Sequence, residues 1–193
     1  MSALALPERT LEAAEKLAGM LGSEGVDAVV IGALALATHG YVRATTDLDL
    51  AIAVEPSSLG RLAASLSRAG WAVEYSAPDP QDPLGGVLNV RAPGAALIQV
   101  VNFDNSPASG FPRLVRDALP LATPLRPGSN LRVVDLFSLV AFKLYAGGPK
   151  SRLDILELLE RNQPVDLAAL RARCDVLRLR RELERVLALA QQG

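Results

Sequence analysis

Cysteine is nearly absent. Cys174 is the only one in 193 residues, so neither an intrachain disulfide nor a cysteine-rich zinc site can form, and a reducing compartment suits the chain. Charge excess is also missing: 20 basic and 21 acidic side chains leave a net charge of −1. That balance gives no general pull toward nucleic acid or an anionic membrane, so any such contact needs a local patch. Long apolar runs are lacking as well. The longest, Ala28 to Ala37, is interrupted by Gly32 and falls far short of the roughly 20 residues that span a bilayer. The first ten residues hold no basic segment followed by an apolar one, so no secretory signal is expected. These absences together predict a cytoplasmic protein with no membrane partner, and no internal repeat is visible.

What the chain does have is core-forming capacity. Half of its residues are hydrophobic, enough for one domain of ordinary size or a compact core with a helical appendage. Pro7 suits the first turn of a helix, and Leu11, Ala14, Leu17, Ala18 and Leu21 recur at helical spacing until Gly22 and Gly25. A strand is expected over 27–31, a short helix from Gly32 through Thr38, and, after a loop, a strand over 47–54. Pro56 opens a helix that Gly70 closes; strands follow over 71–75, 87–91 and 96–103, then a short helix over 111–118. The proline- and glycine-rich stretch 77–86 reads as an exposed loop. From Val134 onward the periodicity is helical, with Asp166 placed to cap one helix. Helices alternating with short strands predict an α/β (α+β) class, a small mixed β-sheet flanked by helices. The division expected is a core over 1–128 and a helical part over 129–193 packed on it.

Asp47 and Asp49 open an otherwise apolar strand. Side chains two apart on a strand share a face, so the two carboxylates should stand side by side. Held that close they repel unless a cation lies between them. Mg²⁺, a hard ion that prefers carboxylate oxygen and keeps waters and phosphates as further ligands, suits the pair. Upstream, the strand ending at Gly32 leads into a helix amino terminus that could receive a phosphate.

The combination Gly32-Ala33, His39-Gly40, Arg43, Thr45 and Asp47-Leu48-Asp49-Leu50 resembles the polymerase-β-type nucleotidyltransferase superfamily. Within it the similarity is to the small bacterial and archaeal branch related to abortive-infection and toxin–antitoxin nucleotidyltransferases. A second block, Asp135-Leu136, Lys143-Leu144-Tyr145-Ala146 and Lys150-Ser151-Arg152-Leu153-Asp154-Ile155, is similar to that branch's downstream helical segment. The resemblance implies a nucleotidyltransferase fold and a reaction dependent on Mg²⁺ (or Mn²⁺). In that reaction a nucleoside monophosphate moves from a nucleoside triphosphate to an acceptor hydroxyl on RNA, a protein or a small molecule. A cognate antitoxin or toxin protein is a further partner it suggests.

Carried over residue by residue, Asp47 and Asp49 become catalytic metal ligands, and Gly32 with Ala33 the phosphate turn. Arg43, Lys143 and Lys150 become nucleotide contacts, and Gln99 stands where the family places a third, acceptor-activating carboxylate. Two positions depart from the pattern. Ala33 replaces the usual glycine or serine, and Gln99 can offer an oxygen to a metal but cannot act as general base, a role typically worth about 10²- to 10⁴-fold in rate. The alternative reading is therefore a catalytically impaired nucleotide-binding or protein-interaction module on the same fold, including an antitoxin-like partner.

Other polar residues carry blander expectations. Asp104, at an odd offset from Gln99, is expected to face the other side as a solvated turn residue. His39 reads as a hydrogen-bonded loop histidine. Lys150-Ser151 lacks the glycines of a phosphate loop. The arginines at 171, 173, 178, 180, 181 and 185 interleave with Glu182 and Glu184, which predicts a salt-bridged solvated face, with Glu182 paired to Arg178, over an RNA-binding patch.

Overall fold

The computed structural model describes residues 7–79, 84–105 and 113–190. Among them the order is α1 (Glu8–Ser23), β1 (Val29–Ile31), α2 (Gly32–Thr38), β2 (Asp47–Ile52), α3 (Pro56–Arg68), β3 (Ala72–Ser76), β4 (Val87–Arg91) and β5 (Leu97–Asn102). Then come α4 (Arg113–Ala118), β6 (Thr123–Pro124), β7 (Arg132–Val133), α5 (Leu136–Ala146), α6 (Gly148–Arg161), α7 (Leu167–Val176) and α8 (Arg180–Ala190). The strands form one sheet in the order β3-β4-β5-β2-β1-β7-β6. β2 runs parallel to β5 and β1 parallel to β7, while the other neighbours are antiparallel. This is the mixed sheet flanked by helices that the sequence pattern predicts.

Alternation along β2 sets the two faces of the sheet. Leu48, Leu50 and Ile52 are fully buried, whereas Asp47 and Asp49 are half-buried. The buried side joins one continuous hydrophobic cluster with Leu17 and Leu21 of α1 and Leu59 and Leu66 of α3. Leu139 and Val140 of α5 and Ile155 and Leu158 of α6 belong to the same cluster, so the carboxy-terminal helices share the core of the sheet. α5 starts on an Asp135 cap, whose Oδ1 accepts from the Ser138 amide, and Asp166 caps α7 through the Ala169 amide as expected.

Apart from one-residue shifts at the ends of β3 and β5, several details differ from the sequence expectation. β2 ends at Ile52 and not at 54, because the fully buried Asn102 carboxamide takes over pairing. Its Oδ1 accepts from the Val54 amide at 3.0 Å and its Nδ2 donates to the Val54 carbonyl at 2.8 Å. β1 is shorter than expected, beginning at Val29. β6 and β7 were not expected; these two-residue strands pair with each other, and β7 extends the sheet by placing Val133 opposite Val30. Arg178 lies outside the last helix with φ 58°, in the turn between α7 and α8. Glu182 therefore meets Arg185, at 4.0 Å, in place of Arg178.

Part of the remaining basic face is salt-bridged as predicted: Arg171 and Arg180 both bond Glu184, and Arg180 also reaches Asp175, while Arg173 donates to the Asp117 carbonyl. The expected start of the short helix at 111–112, part of the 77–86 loop and the first six residues lie outside the described residues. No helix among the described residues is long and apolar enough to cross a membrane.

Candidate active site

Asp49 is the meeting point of the site. It sits opposite Ile31 in the β1–β2 ladder and opposite Gln99 in the parallel β2–β5 ladder. Gly32 follows Ile31 directly and adopts φ +68°, where a side chain is strained, and a Cβ built there would overlap the Asp49 carboxylate. Only glycine lets the turn from β1 into α2 lie against that carboxylate. Ala33 is buried behind it in α2.

Asp47, two residues before Asp49 on the same face, is held by the loop ahead of β2: the Thr45 hydroxyl donates to its Oδ1 at 2.6 Å. Burial, and next the Asp47 charge, push the Asp49 carboxyl up to about 6, with Lys143 and Arg43 pulling the other way. A carboxylate raised by its acidic neighbour is stabilised by any cation that binds between the two.

Two cavities share Asp49 in their walls. One, of about 410 Å³, is lined by Arg43, Thr45, Thr46, Asp47, Asp49 and Lys150 and is polar. The other, of about 380 Å³, is lined by Gly32, Asp49, Gln99, Val101 and Phe103 from the sheet side and by Phe142, Lys143 and Tyr145 of α5. Its far wall is aromatic, with the Phe103 ring edge-on to Phe142 at 5.0 Å and tilted against Tyr145 at 5.7 Å. Every residue singled out for the site from sequence, except the buried Ala33, therefore lines one of these two cavities.

Gln99 does not hang free. Its Nε2 donates to Asn89 Oδ1 at 3.2 Å, across the β4–β5 pairing that sets Asn89 opposite Gln99. That bond uses one of the two N–H donors of the amide and leaves Oε1 as an acceptor the cleft can use.

Lys143, read from sequence as a phosphate contact, lines the cleft but also has a protein partner: its Nζ donates to Asp154 Oδ2 at 2.7 Å. Arg43 NH1 lies 4.0 Å from the same oxygen, and the buried Arg43 Nε has no hydrogen-bond partner among the described residues. Asp154 belongs to the downstream block that carries the resemblance, where no role attaches to it; the pairing with Lys143 is what the structure adds. Asn89 gave no signal, because only strand pairing brings it to Gln99.

Asp104 requires a correction. It is buried, 3.6 Å from Arg116, and is not a solvated turn residue. The cause is the Asn102 side chain, which accepts from the Asp104 amide and donates to its carbonyl, turning the chain inward. His39 behaves as the bland expectation had it, its Nε2 bonding the Val134 carbonyl at 2.9 Å.

The donor set suits a divalent cation. No group of three His, Cys, Asp or Glu side chains converges among the described residues, but two hard carboxylates beside an open polar cavity match an ion that takes its remaining ligands from water and phosphate.

The sequence matches no family profile and no curated protein. Its fold, in contrast, is similar to solved structures over nearly the whole chain. An antigenic nucleotidyltransferase-like protein from Paracoccidioides brasiliensis is 19% identical with a TM-score of 0.51, the match covering 95% of this chain and 94% of that one. The antibiotic-resistance factor ANT(2'')-Ia in solution is 13% identical with a TM-score of 0.53 and 96% of both chains covered. The same protein in complex with adenylyl-2''-tobramycin is 12% identical with a TM-score of 0.51, covering 88% of this chain and 97% of that one. At these identities the likeness is one of fold, and the fold is the nucleotidyltransferase fold.

Proposed function

We propose that this chain is a nucleotidyltransferase that moves a nucleoside monophosphate from a nucleoside triphosphate to an acceptor hydroxyl. The observation that carries the reading is the convergence on Asp49: a second carboxylate, a glycine turn pressed against it, and Arg43 and Lys150 around the same cavity. Asp47 and Asp49 would hold Mg²⁺ or Mn²⁺. Bound there, the ion would supply positive charge to the reacting phosphate and its leaving group.

The chain's own cations do related work. Arg43, Lys150 and Lys143 offset the triphosphate charge, and the Gly32–Ala33 turn brings backbone close to it. The acceptor oxygen bonds to the α-phosphorus while the bond to the bridging oxygen breaks, and pyrophosphate leaves with that electron pair. Gln99 Oε1 accepts a hydrogen bond from the acceptor hydroxyl and orients it, but an amide cannot take the proton, which passes to solvent. The acceptor is drawn from RNA, protein or small molecules, and the motif resemblance alone suggests a toxin–antitoxin or phage-defence setting with a cognate protein partner.

Gln99 also favours a second reading, a nucleotide-binding module with little turnover. One pair of measurements separates the two. Titration with ATP should show binding that depends on Mg²⁺ in the wild type and is lost in Asp47→Asn/Asp49→Asn. Radiolabelled nucleoside triphosphates with RNA, protein and tobramycin as acceptors should then show weak wild-type transfer that Gln99→Asp raises. Metal-dependent binding without transfer in either form identifies the module; metal-independent binding refutes the assigned site.

A further inference from the structure

We propose that Asp154 is a positioning residue that holds the Lys143 ammonium away from Asp49 and so keeps the Asp47/Asp49 pair open to a divalent cation. The proposal rests on the reading of that pair as a metal site.

The Lys143 side chain is 14% exposed and that of Asp154 only 2%, and an ammonium this far from water needs a counter-ion. Two carboxylates compete for it. Asp154, on α6, takes it at 2.7 Å; Asp49, on β2, lines the same cavity and feels the lysine charge. A lysine stem is flexible and its three donors can turn to either acceptor.

With Asp154 ionised the nearer, more buried partner wins, and the Asp47/Asp49 pair faces the polar cavity unblocked. Arg43, 4.0 Å from the same Asp154 oxygen and lining that polar cavity, is restrained by the same group. Without the Asp154 charge, the ammonium finds its best remaining counter-ion in Asp49 and occupies the place of an incoming cation. A plain structural role, fastening α6 to α5, makes a different prediction: loss of stability with unchanged cation affinity.

The test is Mn²⁺ binding to the full chain without nucleotide, read from the electron paramagnetic resonance of free Mn²⁺, with circular dichroism melts in parallel. Asp154→Asn is expected to bind Mn²⁺ about tenfold more weakly or worse, a loss within the coupling range of contacting charged groups. Asp154→Glu, which keeps the counter-ion, should stay within about threefold of wild type by the same measure. Lys143→Met combined with Asp154→Asn should return to wild-type affinity or better, because the competing ammonium is gone. Asp154→Ser carries the same expectation as Asp154→Asn should the latter fail to fold. Unchanged Mn²⁺ affinity in these neutral variants, or a double variant no tighter than Asp154→Asn, overturns the proposal. Wild-type binding that Asp47→Asn/Asp49→Asn leaves intact overturns instead the metal-site reading beneath it, and this inference with it.

Discussion

Asp49 couples the chemistry of the cleft to the stability of the fold. Its carboxyl is raised from 3.8 to about 6 by burial and by Asp47. Between about pH 4 and 6 the folded protein therefore binds more protons than the unfolded chain, so this group favours folding on the acid side and the contribution is lost as pH rises through about 6. In metal-free buffer, wild type measured against Asp49→Asn should lose stability from pH 4 to pH 7, by at most about 3 kcal/mol. Paired thermal melts across that range check it, and added Mn²⁺ should shrink the difference. The neighbouring glycine makes a harder demand. Gly32→Ala puts a Cβ into the Asp49 carboxylate at a positive φ, so we expect a loss of about 1–3 kcal/mol in denaturant titrations, together with loss of metal-dependent ATP binding. The Asp pair was legible because a strand's two-residue period depends on local sequence alone. Asn89, and the role of Asp154 within its block, were not, since the partners that give them meaning sit on other elements.

At the scale of elements, α6 does more than cover the core. It grips the 39–46 loop that carries Arg43 and Thr45: Asn162 Nδ2 donates to the His39 carbonyl at 2.8 Å, and the Arg161 guanidinium lies 5.4 Å from the centre of the Tyr41 ring. Loosening that grip should be felt in the site. Asn162→Ala is expected to cost about 1 kcal/mol of stability and to weaken ATP binding several-fold in calorimetric titration. Arg171→Gln, which breaks a bond to Glu184 at the far end of the helical part, should leave ATP affinity unchanged. Elements with strong local punctuation were readable in advance; β4 occupies the expected 87–91 and α3 begins at Pro56. β6 and β7 were not, because strands of two residues carry no periodicity. They exist through pairing with each other and with β1, and through the Arg132 guanidinium, which donates to the Ala122 carbonyl at 2.7 Å.

For the molecule as a whole, sheet and carboxy-terminal helices cannot be separated without opening the core. β7 lies past residue 128 and flanks β1, and fully buried Leu139, Val140 and Leu158 belong to the same cluster as Leu48 and Leu50. A chain ended after residue 128 is expected to show no cooperative thermal transition by circular dichroism, whereas the full chain should melt in one step. The parallel pairing of β2 with β5 also governs timing. Asp49 leaves the ribosome well before Gln99, and both emerge before Lys143, Lys150 and Asp154. While the chain is being made, the acidic pair is present with neither its strand neighbour nor its helical cations. The lining of the cleft is thus incomplete until α5, which carries Lys143, and α6, which carries Lys150, have been made and have docked.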